Sequence, residues 1–321
     1  MTAIGYTMMC EQARPDQLVR DVRLAEEAGF DFSVISDHYA PWLAEQGHSG
    51  YAWSILGAAA QATERIPLMT YVTCPTLRYH PAVVAQKAAT VQILCDGRFR
   101  LGLGAGENLN EHVVGQRWPA VGVRHERLAE AVAIVAALLD GETVNHRGRH
   151  FDVEQAVLCD RHDVRPPIGI AVSGPSSCRL AGAHADLMIA TEPKPELGEL
   201  FDAAGGAGKP RVGQLALCWD PDRDAAIERA HAQFRWFGLG WLVNSDLPTP
   251  AAFDAATRFV TRDDVAQQIA CGPDVEEHVE RFRPFLDAGF DEVALVQIGA
   301  ERQAEFISWA QAELLPALRA L

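Results

Sequence analysis

Lysine is nearly absent from this chain: among 321 residues only Lys87, Lys194 and Lys209 carry it, and the formal net charge is −15. A nucleic-acid surface needs clustered Lys and Arg, so that class of partner is not expected. An anionic small ligand stays open, because a few basic groups and helix N-termini can hold a phosphate inside an acidic protein. No run of 18 apolar residues occurs, which argues against a membrane span. The opening residues, Met-Thr-Ala-Ile-Gly-Tyr, lack the basic stretch followed by an apolar one that marks a signal peptide. The seven cysteines (Cys10, Cys74, Cys95, Cys159, Cys178, Cys218, Cys271) are odd in number and form no CxxC pair. Buried free thiols in a reducing cytoplasm are the simplest expectation. None of the eleven histidines stands in an HExxH or Cys/His finger spacing, so no metal site is expected.

What is present is an alternation of strand-like and helix-like segments. The strands are expected over Ala3–Met8, Phe32–Ser36, Pro67–Thr73, Arg98–Leu103, Ile168–Val172, Asp186–Ile189, Gly213–Cys218 and Glu292–Val296. The helices are expected over Pro15–Ala28, Tyr51–Thr63, Pro81–Leu94, Glu126–Leu139 and Arg302–Ala320. Pro81 suits the first turn of its helix, where a missing N–H costs nothing. Eight strands, most followed by a helix, predict a single (β/α)8 TIM barrel spanning residues 1–321. Two segments break the rhythm. One, about 141–163, reads as an insertion before the fifth strand. The other, about 234–264, carries Trp236 and Trp241, and it reads as a lid or substrate wall, or as a peripheral helical pair.

The most telling stretch is Val34-Ile35-Ser36-Asp37-His38-Tyr39-Ala40-Pro41-Trp42. An apolar run reads as a buried strand, so Asp37 and His38 fall at its end. In a parallel barrel the carboxyl ends of the strands face the active site. An acid, an imidazole and a tryptophan there could supply an anchor, a proton carrier and a flat wall. A histidine capping the next helix beside a packed tryptophan would give the same pattern. Gly102–Asn110 follows the fourth strand, and its glycines, Gly106 included, let a backbone approach a flat or anionic ligand. Glu107 could exchange protons there or merely cap a helix. Cys74, before Pro75, reads as a packing or ligand-wall residue. Ser173 and Gly174 open a helix whose N–H groups could bind phosphate or simply be capped. Glu11, Thr191 and Lys194 also fall on the catalytic face, and the position of Lys194 favours an anion.

These pieces, in this order, resemble the bacterial luciferase-like flavin and deazaflavin oxidoreductases. The resemblance is strongest over Ile4–Gln12, Ser36–Trp42, Pro75–Gln86 and Gly104–Asn110. It points to the branch that contains the deazaflavin-dependent glucose-6-phosphate dehydrogenases. It implies a barrel that binds coenzyme F420 at the carboxyl ends of its strands. His38 matches the histidine that takes the proton from the substrate hydroxyl. Glu107 matches the glutamate that supplies a proton at the reduced ring, Trp42 the tryptophan beside the reacting carbon, and Glu11 a carboxylate in the same pocket. Asp37 matches a cofactor-contacting aspartate, and Tyr71-Val72 a non-proline cis peptide behind the ring. Asn110, Ser173 and Gly174 fall on cofactor-binding positions, and Cys74 replaces a threonine there. The resemblance also implies a homodimer.

At the substrate end, Thr191 and Lys194 match two residues that hold the sugar phosphate. The family's remaining lysine and arginine for that phosphate align with Phe253 and Ala266, while Arg258 and Arg262 lie nearby but off register. One lysine holds a dianion poorly. The expected activity is therefore hydride transfer between the deazaflavin and a small-molecule alcohol or carbonyl other than glucose 6-phosphate. The alternative within the superfamily is an FMN-dependent monooxygenase.

Overall fold

The computed structural model describes residues 2–321. Eight parallel strands close into a ring: β1 (Ala3–Met8), β2 (Phe32–Ile35), β3 (Leu68–Thr70), β4 (Phe99–Leu103), β5 (Ile168–Ala171), β6 (Leu187–Ala190), β7 (Arg211–Cys218) and β8 (Glu292–Gln297). Their spatial order runs β7-β8-β1-β2-β3-β4-β5-β6, and β6 pairs back onto β7. This is the (β/α)8 barrel that the alternation predicts. Ala270–Cys271 adds two residues of strand beside the end of β7.

The strands are short apolar runs because both of their faces are covered. Every residue of β2, β3 and β6 is buried. Phe32, Val34, Met69, Leu187, Ile189, Val212 and Ala294 form one cluster filling the barrel. The register places Ile35 beside Thr70 and Leu103 beside Ile170, so the residues that follow these strands emerge together. Helices Pro15–Ala28 and Pro81–Leu94 have the expected bounds. His80 caps the second, its Nδ1 accepting the N–H of Ala82.

Three boundaries differ from expectation by more than one residue. β3 stops at Thr70, the peptide Tyr71-Val72 is cis, and Thr73 rejoins β4 through a lone bridge to Leu103. β7 begins at Arg211, two residues before Gly213. The helix after β4 starts at Val121, just beyond Pro119, rather than at Glu126. The closing helix runs through 303–319 as expected, but its turn at Ala310–Leu314 is a wide, π-helical one. Pro316 explains that wide turn, because a proline has no N–H to donate to the preceding turn.

The segment at 141–163 contains an antiparallel hairpin, Val144–Arg147 with Asp152–Ala156. It leans on helix Val121–Leu139 through Glu130, which accepts the N–H groups of His150 and Phe151 and faces His146 Nε2 at 2.9 Å. The segment at 234–264 folds into short helical pieces: Arg235–Leu239, Trp241–Asn244, Pro250–Thr257 and the start of Arg262–Ala266. Buried Arg235 staples it, pairing with Glu45 at 3.1 Å and Asp254 at 2.7 Å. Among the described residues no helix is long and apolar enough to cross a membrane.

Candidate active site

His38 stands just past the end of β2, and its ring lies between two carboxylates. Nδ1 is 3.2 Å from Glu11 Oε1, and Nε2 is 3.3 Å from Glu107 Oε2. An imidazole that takes up a proton here finds an acceptor for each N–H, so the cation is stabilised where it forms. Glu11, beyond β1, is almost wholly buried. The Ser36 hydroxyl donates to Glu11 Oε2 at 2.5 Å and accepts the N–H of Cys10 at 2.9 Å. That pair fixes the carboxylate against the imidazole. Glu107 follows β4, and burial raises its carboxyl above the usual range, with His38 pulling the other way. It makes no side-chain cap to the helix it precedes, so the capping alternative is not seen.

Trp42 forms the wall beside His38, with ring centroids 5.0 Å apart. Behind it Trp236 stacks at 4.2 Å and 11°, and Phe253 meets it edge-on at 5.0 Å. The 234–264 segment thus packs against Trp42 through Trp236 and Phe253. Across the mouth, a Cβ on Gly104 would lie 2.6 Å from Val72 Cγ2, 3.6 Å from Cys74 Sγ and 3.8 Å from Ala171 Cβ. Those neighbours make a smooth, mostly apolar face. Gly106 adopts a φ of +95°, a conformation that suits glycine. Burial pushes the Cys74 thiol well up, which argues against a reactive thiolate.

Asp37 behaves differently from the open cofactor contact that the resemblance implies. Its side chain is closed off and accepts from four donors: Trp53 Nε1 at 3.2 Å, the Thr73 hydroxyl at 2.7 Å, Arg78 Nη2 at 3.1 Å and the Tyr79 hydroxyl at 3.1 Å. Arg78 also donates to the Asp37 carbonyl at 2.6 Å. Glu111 lies under Arg78, with Oε1 3.7 Å from Nε, and accepts the N–H groups of Leu77 and Arg78. Burial pushes the Glu111 carboxyl up to about 7. Asp37 is thus an anchor that ties three elements beneath His38. Trp53, Thr73, Arg78, Tyr79 and Glu111 were not singled out from the sequence. They converge from separate segments, and no spacing marks them.

Asn110 is likewise occupied. Its Oδ1 accepts the N–H of Tyr39 at 2.8 Å, and its amide donates to Glu107 Oε2 at 3.0 Å. The N–H groups of Ser173 and Gly174 converge on the Ser177 hydroxyl at 3.0 and 3.2 Å. That hydroxyl in turn donates to the Gly174 carbonyl at 2.9 Å, so the start of this helix is capped from within and the two amides are occupied. Tyr71 is tied across the mouth, its hydroxyl donating to the Ala190 carbonyl at 3.0 Å. Thr191 is exposed, and Lys194 is exposed and paired with Glu192 at 2.7 Å. Phe253 is fully buried, Arg258 stacks on exposed Phe259, and exposed Arg262 pairs with Glu228. Among the described residues Lys194, Arg258 and Arg262 thus each have a partner of their own and form no shared cluster of cations. No group of His, Cys, Asp and Glu among the described residues could hold a metal ion.

With this geometry in view, the chain belongs to the luciferase-like monooxygenase family, whose model matches residues 2–292. It is 37% identical to the F420-dependent glucose-6-phosphate dehydrogenase of Beutenbergia cavernae, over 100% of this chain and 98% of that protein. It is 34% identical to the F420-dependent hydroxymycolic acid dehydrogenase of Mycobacterium tuberculosis, over 98% and 88%. Among solved structures it superposes on an F420-dependent secondary alcohol dehydrogenase, captured with an F420-acetone adduct, at a TM-score of 0.88. That match has 29% identity and covers 99% of each chain. The tetrahydromethanopterin reductase of Methanopyrus kandleri shares the fold, with a TM-score of 0.78 and 20% identity.

Proposed function

We propose that this protein is an F420-dependent oxidoreductase that interconverts an uncharged secondary alcohol and its ketone. The observation that carries the reading is the ring of His38 held between Glu11 and Glu107, beside the Trp42 wall. Two proton-handling groups next to a flat apolar face suit a hydride transfer coupled to proton transfer. Bound F420 would supply the ring carbon that carries the hydride. The residues that would hold it are Tyr71, Val72, Cys74, Gly106, Glu107 and Asn110 along the ring face, with Ser173 and Gly174 at the start of the helix that follows β5. The mostly apolar Val72–Cys74–Ala171 surface fits a flat ring system. His38 takes the proton of the substrate hydroxyl, and the buried Glu11 carboxylate beside Nδ1 stabilises the imidazolium. Glu107, whose carboxyl burial shifts upward, handles a second proton on the Nε2 side of that imidazole.

The substrate reading follows from charge. Lys194 is engaged with Glu192, Thr191 stands exposed, and the buried Phe253 occupies one position where a second cation would be needed. Each missing charge-assisted hydrogen bond costs about 1.5–3 kcal/mol. A sugar phosphate is therefore disfavoured. A homodimer in the cytoplasm completes the proposal, supported by the free cysteines and the family resemblance; light scattering tests the dimer.

Side-by-side equilibrium titrations with F420 and FMN, followed by steady-state assays of F420 reduction, test the function. We expect F420 to bind more tightly than FMN, small secondary alcohols to be turned over, and glucose 6-phosphate to be a poor substrate. Lys194→Ala should change little. Tight FMN binding without F420 binding would move the protein to the monooxygenase reading. A micromolar KM for glucose 6-phosphate that is lost in Lys194→Ala would overturn the substrate assignment.

A further inference from the structure

Of the three lysines, Lys194 pairs with Glu192 and Lys209 donates to the Gly182 carbonyl. Lys87, on helix Pro81–Leu94, makes neither kind of contact among the described residues. Its Nζ sits instead in a cage of ring faces: 3.5 Å from the centroid of Tyr79, 5.2 Å from Tyr51 and 5.6 Å from Trp53. Two of those rings are donors to one carboxylate. The Tyr79 hydroxyl and the Trp53 N–H both end on Asp37, at 3.1 and 3.2 Å.

We infer that Lys87 is a positioning residue for the proposed reaction: its ammonium orients Asp37 through Tyr79 and Trp53, and so sets where His38 enters the site. A cation over a ring face is attracted to it and restrains its tilt. It also draws electron density from the ring, which makes the ring's O–H or N–H a stronger donor. The ammonium attracts the Asp37 carboxylate directly as well. Asp37 precedes His38, and Arg78 holds the Asp37 carbonyl, so a shift of the anchor moves the imidazole between its two carboxylates.

The charge of Lys87 can be switched. Burial pulls its ammonium down to about 8, with Asp37 opposing and Arg78 adding to the fall. The groups facing the cage are Asp37 from the end of β2, Tyr51 before helix Ala52–Ala62, and Arg78 and Tyr79 after β3. Glu111 reaches it through Arg78. Tyr51, Arg78 and Tyr79 are all displaced upward and keep their protons at pH 8. Glu111 changes state near 7 and must be separated from Lys87.

The test reads the indole N–H of Trp53 by ¹H–¹⁵N spectroscopy of the full chain without cofactor, assigned by Trp53→Phe. In the wild type we expect this signal to shift with a midpoint near pH 8, the range to which Lys87 is displaced. A smaller step near 7 should vanish in Glu111→Gln. Lys87→Met should abolish the step near 8, and Lys87→Arg should hold the low-pH position up to about pH 10. Turnover should fall by about 2- to 30-fold in Lys87→Met, the span of a cation–π contact, and stay within about threefold of wild type in Lys87→Arg. A wild-type indole that does not move near pH 8 overturns the inference. So does equal impairment in the methionine and arginine variants, which would mark a packing role. If Lys87→Met does not fold, the wild-type titration and the arginine variant decide. The turnover arm rests on the proposed function, whereas the indole arm does not, so failure of the F420 reading leaves it intact.

Discussion

A histidine between two carboxylates has its charge stabilised from both sides, and the two carboxylates differ. Glu11 is fixed by Ser36 and nearly sealed from solvent, whereas Glu107 lines the mouth and is pushed up by burial. Their roles should separate accordingly. His38→Ala and Glu107→Gln should each lower turnover by about 10²–10⁴-fold, the range for a lost acid–base group, while cofactor affinity changes much less. Because Glu107 holds its proton to higher pH than an ordinary glutamic acid, a rate that needs that proton falls as pH rises through its displaced range. Glu107→Gln should flatten this limb. Stopped-flow rates across pH, with cofactor dissociation constants measured alongside, provide the check; near-normal turnover in both variants would remove these residues from the chemistry. The grouping of His38, Trp42 and Glu107 was legible because each sits three to seven residues beyond a strongly apolar strand. The hydrogen bonds of Asp37 were not legible, because its four donors come from three separate stretches of chain.

At the scale of elements, the apolar strands and Pro-initiated helices were readable because burial on both faces and proline's fixed φ leave local marks. Element ends set by tertiary pairing were not, as with β3, which leaves the ladder at Thr70. The segment at 234–264 was recognisable as an excursion, but its contact with Trp42 depends on docking that no local pattern encodes. Its stacked Trp236 is the test of that docking. Trp236→Ala should cost up to about 3–5 kcal/mol through the cavity left behind Trp42. It should also loosen the wall, raising KM for the smallest secondary alcohols and admitting bulkier ones. Denaturant unfolding and a substrate series measure both effects; an unchanged ratio of small to bulky substrates would place Trp236 outside the specificity wall.

At the scale of the whole molecule, stability depends on which carboxyls the closed barrel leaves without compensation. Glu26 gains from folding: it accepts the N–H groups of Glu64, Arg65 and Ile66, and its pKa is lowered. Its contribution is present above the ordinary glutamate pKa and is lost as pH falls through the depressed one. Asp21 runs the other way. It is buried on helix Pro15–Ala28, its Oδ2 has no hydrogen-bond partner, and burial pushes its carboxyl up to about 6. Below the ordinary aspartate pKa both folded and unfolded chains hold this proton, and there is no penalty. Between about 4 and 6 the unfolded chain ionises first, so this group's effect on stability worsens as pH rises. Above 6 the full penalty applies, on the order of 3 kcal/mol by linkage. Asp21→Asn removes the charge while keeping the shape, although its amide brings a donor that also needs a partner. The variant should therefore melt about 2–5 °C above wild type at pH 7.5 and close to it at pH 4. Calorimetry at the two pH values measures the difference, and an equal shift at both would show that the gain is unrelated to the ionisation of Asp21.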